Sequence, residues 1–141
     1  MKKTLHFSLR TPEAEVLTQD VTAIKVATEM GPMLVYPRHA SLTGTVSFSR
    51  LWVRQEQGEK EYLVRNGIFF VSVETNSASI LCYSCQEIKD IGYKTASEYL
   101  SFIETKLKEG ADLNEYQLKF LKNEKIAMVQ QIEMIGRDKP K

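Results

Sequence analysis

Gly31-Pro32-Met33-Leu34-Val35-Tyr36-Pro37-Arg38-His39-Ala40-Ser41-Leu42 is the stretch that decides how this chain reads. It sets a glycine, a short apolar run, and then the turn Pro37-x-His39-Ala40-x-Leu42, which carries one of the two histidines. Upstream, Leu5-His6-Phe7-Ser8-Leu9-Arg10 alternates apolar and polar residues, so Leu5, Phe7 and Leu9 share one face before Thr11-Pro12 turns the chain. Downstream, Asn66-Gly67 reads as a tight turn between two strand-like runs, the second being Ile68-Phe69-Phe70-Val71.

Working outward, a period of two extends to about Cys85. Residues 5–9, 21–27, 33–36, 42–54, 60–65, 68–73 and 78–83 are rich in Val, Ile, Phe, Tyr and Thr and read as strands. Turn chemistry separates them at Thr11-Pro12, Gly31-Pro32, Glu56-Gln57-Gly58-Glu59, Asn66-Gly67 and Thr75-Asn76-Ser77. Short strands with turns roughly every 8 to 12 residues predict an antiparallel β-sandwich of about eight to ten strands.

After Gln86 the period changes. Ala96, Tyr99, Leu100, Ile103 and Leu107 make one apolar stripe at helical spacing, with Thr95 and Glu98 spaced as a capping box. Gly110 marks a stop. Asp112 with Glu115 predicts the start of a second helix running to about residue 135, with a stripe of Leu113, Tyr116, Phe120, Met128, Ile132 and Ile135 and with Leu121 close by. Two helices joined by so short a turn must run antiparallel. The expected organisation is a sandwich over 1–86 and a helical hairpin over 87–141.

Composition narrows the function. The chain has 141 residues, 43% hydrophobic and 26% charged, with a net charge of +1. Its charge is balanced in both parts: nine Lys/Arg against eight Asp/Glu over 1–85, and ten against ten over 86–141. A dedicated nucleic-acid binder would carry a basic excess. Met1-Lys2-Lys3 begins like a signal peptide, but His6, Ser8 and Arg10 interrupt the apolar core one would need. The longest apolar run, Ile68 to Val71, is far below the ~20 residues of a membrane helix. Membrane association is therefore expected only through partners.

No enzymatic constellation stands out. His39 is the best candidate base, yet no nucleophile motif or acidic orienter lies near it in sequence. His6 belongs to the polar face of its strand. Cys82-Tyr83-Ser84-Cys85 closes an apolar strand instead of opening a helix, and neither histidine is spaced to complete a zinc site. These cysteines read as small side chains at a strand end. No Walker-type loop is present. Lys119, Lys122 and Lys125 form a basic row along the second helix, relieved by Glu124, and read as a solvated face.

The order of these motifs resembles the epsilon subunit of F-type ATP synthases: an alternating strand ending in Thr-Pro-Glu, then Gly-x5-Pro-x-His-Ala-x-Leu, then a glycine turn into an apolar strand. The resemblance covers residues 4–85 by motif and the rest by architecture. The chain departs from the family pattern in four places. Leu34 stands where a second glycine is usual, Ser41 where His-Ala-Pro-Leu has proline, and Asn66 where Gly-Gly is frequent. The loop at Glu74-Thr75-Asn76 is about two residues longer.

The resemblance implies a non-catalytic rotor subunit. Its sandwich would bind the gamma subunit and the c-ring through Gly31, Pro37, Arg38, His39 and Leu42. Its hairpin would restrain ATP hydrolysis, with Lys119, Lys122 and Lys125 meeting the alpha/beta head. It would lie on the cytoplasmic face of a bacterial inner membrane, peripherally, as part of the complex. Some members bind ATP through Ile-Asp-x-x-Arg-Ala at the start of the first helix. Here Ile91-Gly92-Tyr93-Lys94-Thr95-Ala96 lacks the acid and the arginine, so no ATP site, cofactor or metal is expected. The competing reading is an unrelated β-sandwich adaptor with a permanently docked hairpin.

Overall fold

In a computed structural model, residues 3–138 are described and form two compact units, the first ending at Lys89 and the second beginning at Asp90. The first holds seven strands: β1 Leu5–Arg10, β2 Glu15–Val21, β3 Ala23–Thr28, β4 Gly31–Val35, β5 Leu42–Gln55, β6 Gly58–Ser72 and β7 Ser77–Glu87. They hydrogen-bond in the order β2-β1-β7-β6-β5-β3-β4. All neighbours are antiparallel except β1 and β7, which pair in parallel with Leu9 beside Ile80.

This sheet folds back on itself. β2 lies at one end of the strand order, yet Gln55 Nε2 of β5 donates to Gln19 Oε1 of β2 at 3.1 Å. One core cluster collects Phe7 and Leu9 of β1, Val26 of β3, Val35 of β4, Leu51 and Val53 of β5, Val64 and Phe69 of β6 and Ile80 of β7. Strands from both ends of the order thus bury their apolar faces together, which is the sandwich architecture expected from the sequence. Full burial of each such side chain contributes ~1.5–3 kcal/mol.

Seven strands, not eight to ten, build this unit among the described residues, and the difference has a local cause. The runs at 60–65 and 68–73 are one continuous strand. Asn66 adopts φ 51° inside β6, yet the register with β5 is the same on both sides, with Arg65 beside Phe48 and Gly67 beside Val46. Asn-Gly therefore bends β6 without reversing it. Asparagine tolerates the left-handed region, and Gly67 admits a close approach: a Cβ there would lie 3.0 Å from Cys82 Cβ and 3.2 Å from the Leu81 carbonyl oxygen. β2, in turn, lacks a clear strand pattern before Val21 because Thr18, Gln19 and Asp20 dilute its apolar alternation.

The second unit holds α1 Tyr93–Lys108 and α2 Glu115–Asp138, joined through a 3-10 turn at Gly110–Asp112. The α1 stripe is as predicted, with Ala96, Tyr99 and Ile103 buried. The expected capping box is absent at α1 and displaced at α2. Gly92 is the N-cap of α1 and has no side-chain cap bond, so Thr95 falls inside the helix. At α2 the box is Asn114 with Gln117: the Gln117 N–H donates to Asn114 Oδ1 at 2.9 Å, and the Asn114 N–H donates to Gln117 Oε1 at 3.0 Å. On α2, Met128 is buried as expected, while Tyr116, expected on the stripe, is 83% exposed and Glu124 is buried.

The close approach at Gly67 generates a stability prediction. Gly67→Ala drives a methyl into strand backbone and should destabilise the sandwich by ~1–3 kcal/mol, read as a lower urea midpoint. Gly92→Ala meets nothing within 4 Å and should leave the midpoint unchanged.

Candidate interaction surface

Between β4 and β5 the chain makes the turn singled out by sequence. The His39 N–H donates to the Tyr36 carbonyl at 3.1 Å, closing it. Arg38 sits at φ 65°, a conformation that non-glycine residues adopt only with support. Asn76 supplies that support. Its Oδ1 accepts the Arg38 N–H at 2.8 Å and its Nδ2 donates to the Thr4 carbonyl at 2.9 Å. Its own carbonyl accepts the His6 N–H at 3.1 Å, with Asn76 itself at φ 48°. One asparagine thus ties the turn, the start of β1 and the β6–β7 hairpin together.

Ser41 completes the clasp. Its Oγ accepts the Val73 N–H at 2.9 Å, a bond that a proline at this position could not make. His39 Nδ1 lies 2.7 Å from the Ala40 carbonyl, so the ring donates to backbone through that nitrogen. Its partner is neither a nucleophile nor a carboxylate, in keeping with a positioned turn residue.

Pro37, Arg38, His39 and Leu42 therefore share one turn, with Leu42 half-buried against the core opposite Val71. Gly31 does not join them. It lies at the far end of β4, about 15 Å of strand away. There it takes φ 105° and closes the β3–β4 hairpin, its carbonyl accepting the Thr28 hydroxyl at 3.2 Å. Beside it, Glu29 accepts the Thr45 N–H at 2.5 Å and the Thr45 hydroxyl at 3.0 Å. The backbone bond from Thr45 is the main cause that holds the Glu29 carboxyl below the usual range.

Sequence reasoning passed over an apolar band on the outward face of β6 and β7. Ile68 is 41% exposed, Phe70 43%, Leu81 52% and Tyr83 74%, while Phe69, Val71, Ile80 and Cys82 point into the core. Ile68 pairs directly with Leu81, and Phe70 pairs with Thr43, one residue after Leu42. The band and the turn thus adjoin across β5. Its signal was available: Ile68 to Val71 is apolar without alternation, the pattern of a strand covered on both faces.

A second feature lies on β3, β4 and β5. Trp52 is stacked by Arg50, 4.4 Å from the ring centroid, and by Lys25 at 5.0 Å. It forms the floor of a groove of about 310 Å³ whose rim includes Leu34 and Tyr36. Leu34, the departure from the glycine pattern, supplies part of that apolar rim. Cys82 is buried in mid-strand, not at a strand end as expected. A hydrogen bond with Cys85, then burial, push its thiol up. Both cysteines are free.

On the hairpin, Lys119 and Lys122 are exposed on α2. Lys125 is exposed as well, its Nζ lying 3.9 Å from Glu104 of α1. Glu124, read as relieving that row, faces inward and is buried.

Residues 4–88 match the family described as the beta-sandwich domain of the ATP synthase delta/epsilon chain. An ATP synthase epsilon chain from Pelagibacter ubique is 30% identical over 127 residues, covering 89% of this chain and 95% of the relative. One from a Jannaschia species is 25% identical over 109 residues, 77% of this chain and 81% of the relative. Among solved structures, a chain of the Euglena gracilis mitochondrial ATP synthase OSCP/F1/c-ring assembly superposes with a TM-score of 0.63 at 17% identity, over 97% of this chain and 81% of that one. A chain of the Tetrahymena thermophila mitochondrial ATP synthase central stalk and c-ring gives 0.55 at 15% identity, over 94% and 96%. At such identities the structures report a shared fold.

The Asn76 clasp is testable by itself. Asn76→Ala removes two side-chain bonds and a left-handed preference, and should cost ~1–3 kcal/mol while speeding amide exchange at Arg38. Thr75→Ala beside it should leave Arg38 exchange unchanged.

Proposed function

The chain belongs to the ATP synthase delta/epsilon chain family, and from that premise we propose that it is a non-catalytic rotor subunit whose sandwich binds the gamma subunit and the c-ring. The observation that carries this reading is the outward band of Ile68, Phe70, Leu81 and Tyr83. Apolar side chains gathered on an outer sheet face favour a protein partner, because covering them removes apolar surface from water. We assign gamma to this band and the c-ring to the adjoining turn, where Pro37, Arg38 and His39 are held by Asn76. A pre-set turn loses little conformational freedom on binding, which suits an element that must transmit torque.

The hairpin is assigned to regulation. Lys119 and Lys122 present charge that can meet acidic surface of the catalytic head, restraining ATP hydrolysis by steric obstruction of rotation. Such contacts weaken with salt. Direct ATP sensing is not part of the proposal: Gly92 and Thr95 offer neither carboxylate nor guanidinium. Among the described residues no helix is long and apolar enough to cross a membrane. The proposed site of action is the cytoplasmic face of a bacterial inner membrane, reached through the complex.

Two experiments test these assignments. Replacing Leu81 and Tyr83 together by Ser should weaken gamma binding at least about tenfold without loss of the folded spectrum, since hot spots of this kind dominate interfaces. Unchanged affinity moves the interface elsewhere. Deleting residues 90–141, which leaves β7 whole, should raise ATP hydrolysis by the reconstituted enzyme. Replacing Lys119 and Lys122 by Ala should reproduce part of that rise at low salt. Unaltered hydrolysis after the deletion would instead favour the permanently docked hairpin.

A further inference from the structure

Ser49 and Glu124 are the two buried polar side chains among the described residues. Ser49 is occupied with backbone, its Oγ accepting the Ala27 N–H at 3.1 Å and donating to the Arg50 carbonyl at 2.7 Å. Glu124 is different. It is 2% exposed on α2, and its Oε1 accepts the hydroxyl of Tyr99 of α1, also 2% exposed, at 2.8 Å. This bond links the two helices across 25 residues of chain and a short connection.

We infer that the Glu124–Tyr99 bond is a register lock, which selects one antiparallel alignment of α1 and α2 at a cost in packing stability. The rest of the seam does not discriminate well. Leu100, Ile103 and Leu107 on α1 and Leu118, Leu121, Met128 and Ile132 on α2 are apolar side chains of similar volume. The Lys125–Glu104 pair is nearly half exposed on both sides and adds little. A slip of one helical turn along α2 would set Phe120 or Met128 before the Tyr99 hydroxyl, and would move Glu124 against Ala96 or Ile103. Either costs the desolvation of a carboxylate without its hydroxyl donor, far more than any apolar mismatch. A buried polar contact in an apolar helical seam can fix register in this way.

The lock rests on the hairpin alone and is independent of the rotor reading, so the test uses the isolated full chain. Its readouts are backbone amide spectra, interhelical proximities and hydrogen exchange. Tyr99→Phe should lower amide protection in α1 and α2 about tenfold, with the β-strands unaffected. Glu124→Gln keeps an acceptor and should retain one set of amide signals. Glu124→Leu should keep or raise the thermal midpoint of the hairpin, yet split or broaden the α1 and α2 signals into more than one alignment. One sharp set for Glu124→Leu, with native proximities between positions 99 and 124, would overturn the lock whatever its stability. Unchanged protection in Tyr99→Phe would overturn it as well.

Discussion

Everything in the sandwich depends on β5 and β6 staying paired over their whole length while the sheet folds. Strands of 14 and 15 residues are more than twice the usual length, and an extended pair of that size resists being wrapped around a core. Asn66 and Gly67 relieve that resistance. The left-handed Asn66 bends β6, and the missing Cβ of Gly67 lets β7 come close at the bend. Val64 and Phe69 lie five positions apart, so unbroken alternation would put them on opposite faces; the left-handed Asn66 interrupts it, and both reach the core. β7 can then lie beside β1 in parallel, and the two ends of the sheet can meet.

That closure also explains where the surface chemistry falls. With Phe69, Val71, Ile80 and Cys82 filling the inside, strict alternation forces Ile68, Phe70, Leu81 and Tyr83 outward. A folded monomer gains nothing from exposing them, and the proposed partner face rests on that exposure. The neighbouring turn is built to a different rule. Its energy lies in hydrogen bonds, from Asn76 and Ser41, that hold an otherwise unfavourable Arg38 conformation. A yielding apolar face and a stiff polar turn meet along the first residues of β5.

The hairpin is held by other means. Its seam is apolar, and the buried carboxylate of Glu124 is satisfied across the helix pair. Stability there comes from area and uniqueness from a single polar contact, a division seen whenever apolar side chains alone leave several alignments close in free energy.

Local chemistry determined a good deal by itself. The change of period after Gln86, the alternating faces of β1 and β5, and the α1 stripe are properties of neighbouring residues, and so was the turn holding Pro37, Arg38, His39 and Leu42. Choices between local solutions of similar energy were not legible. Asn66-Gly67 can reverse a chain or bend a strand, and only the approach of β7 selects the bend. Asp112–Glu115 and Asn114–Gln117 both satisfy the capping pattern, and the path of the connection decides between them. The parallel β1–β7 pair and the reach of Asn76 to Thr4 and Arg38 join residues far apart in sequence, so no window along the chain contains both partners. Periodicity reports which side of an element is apolar; only the tertiary fold decides what covers it.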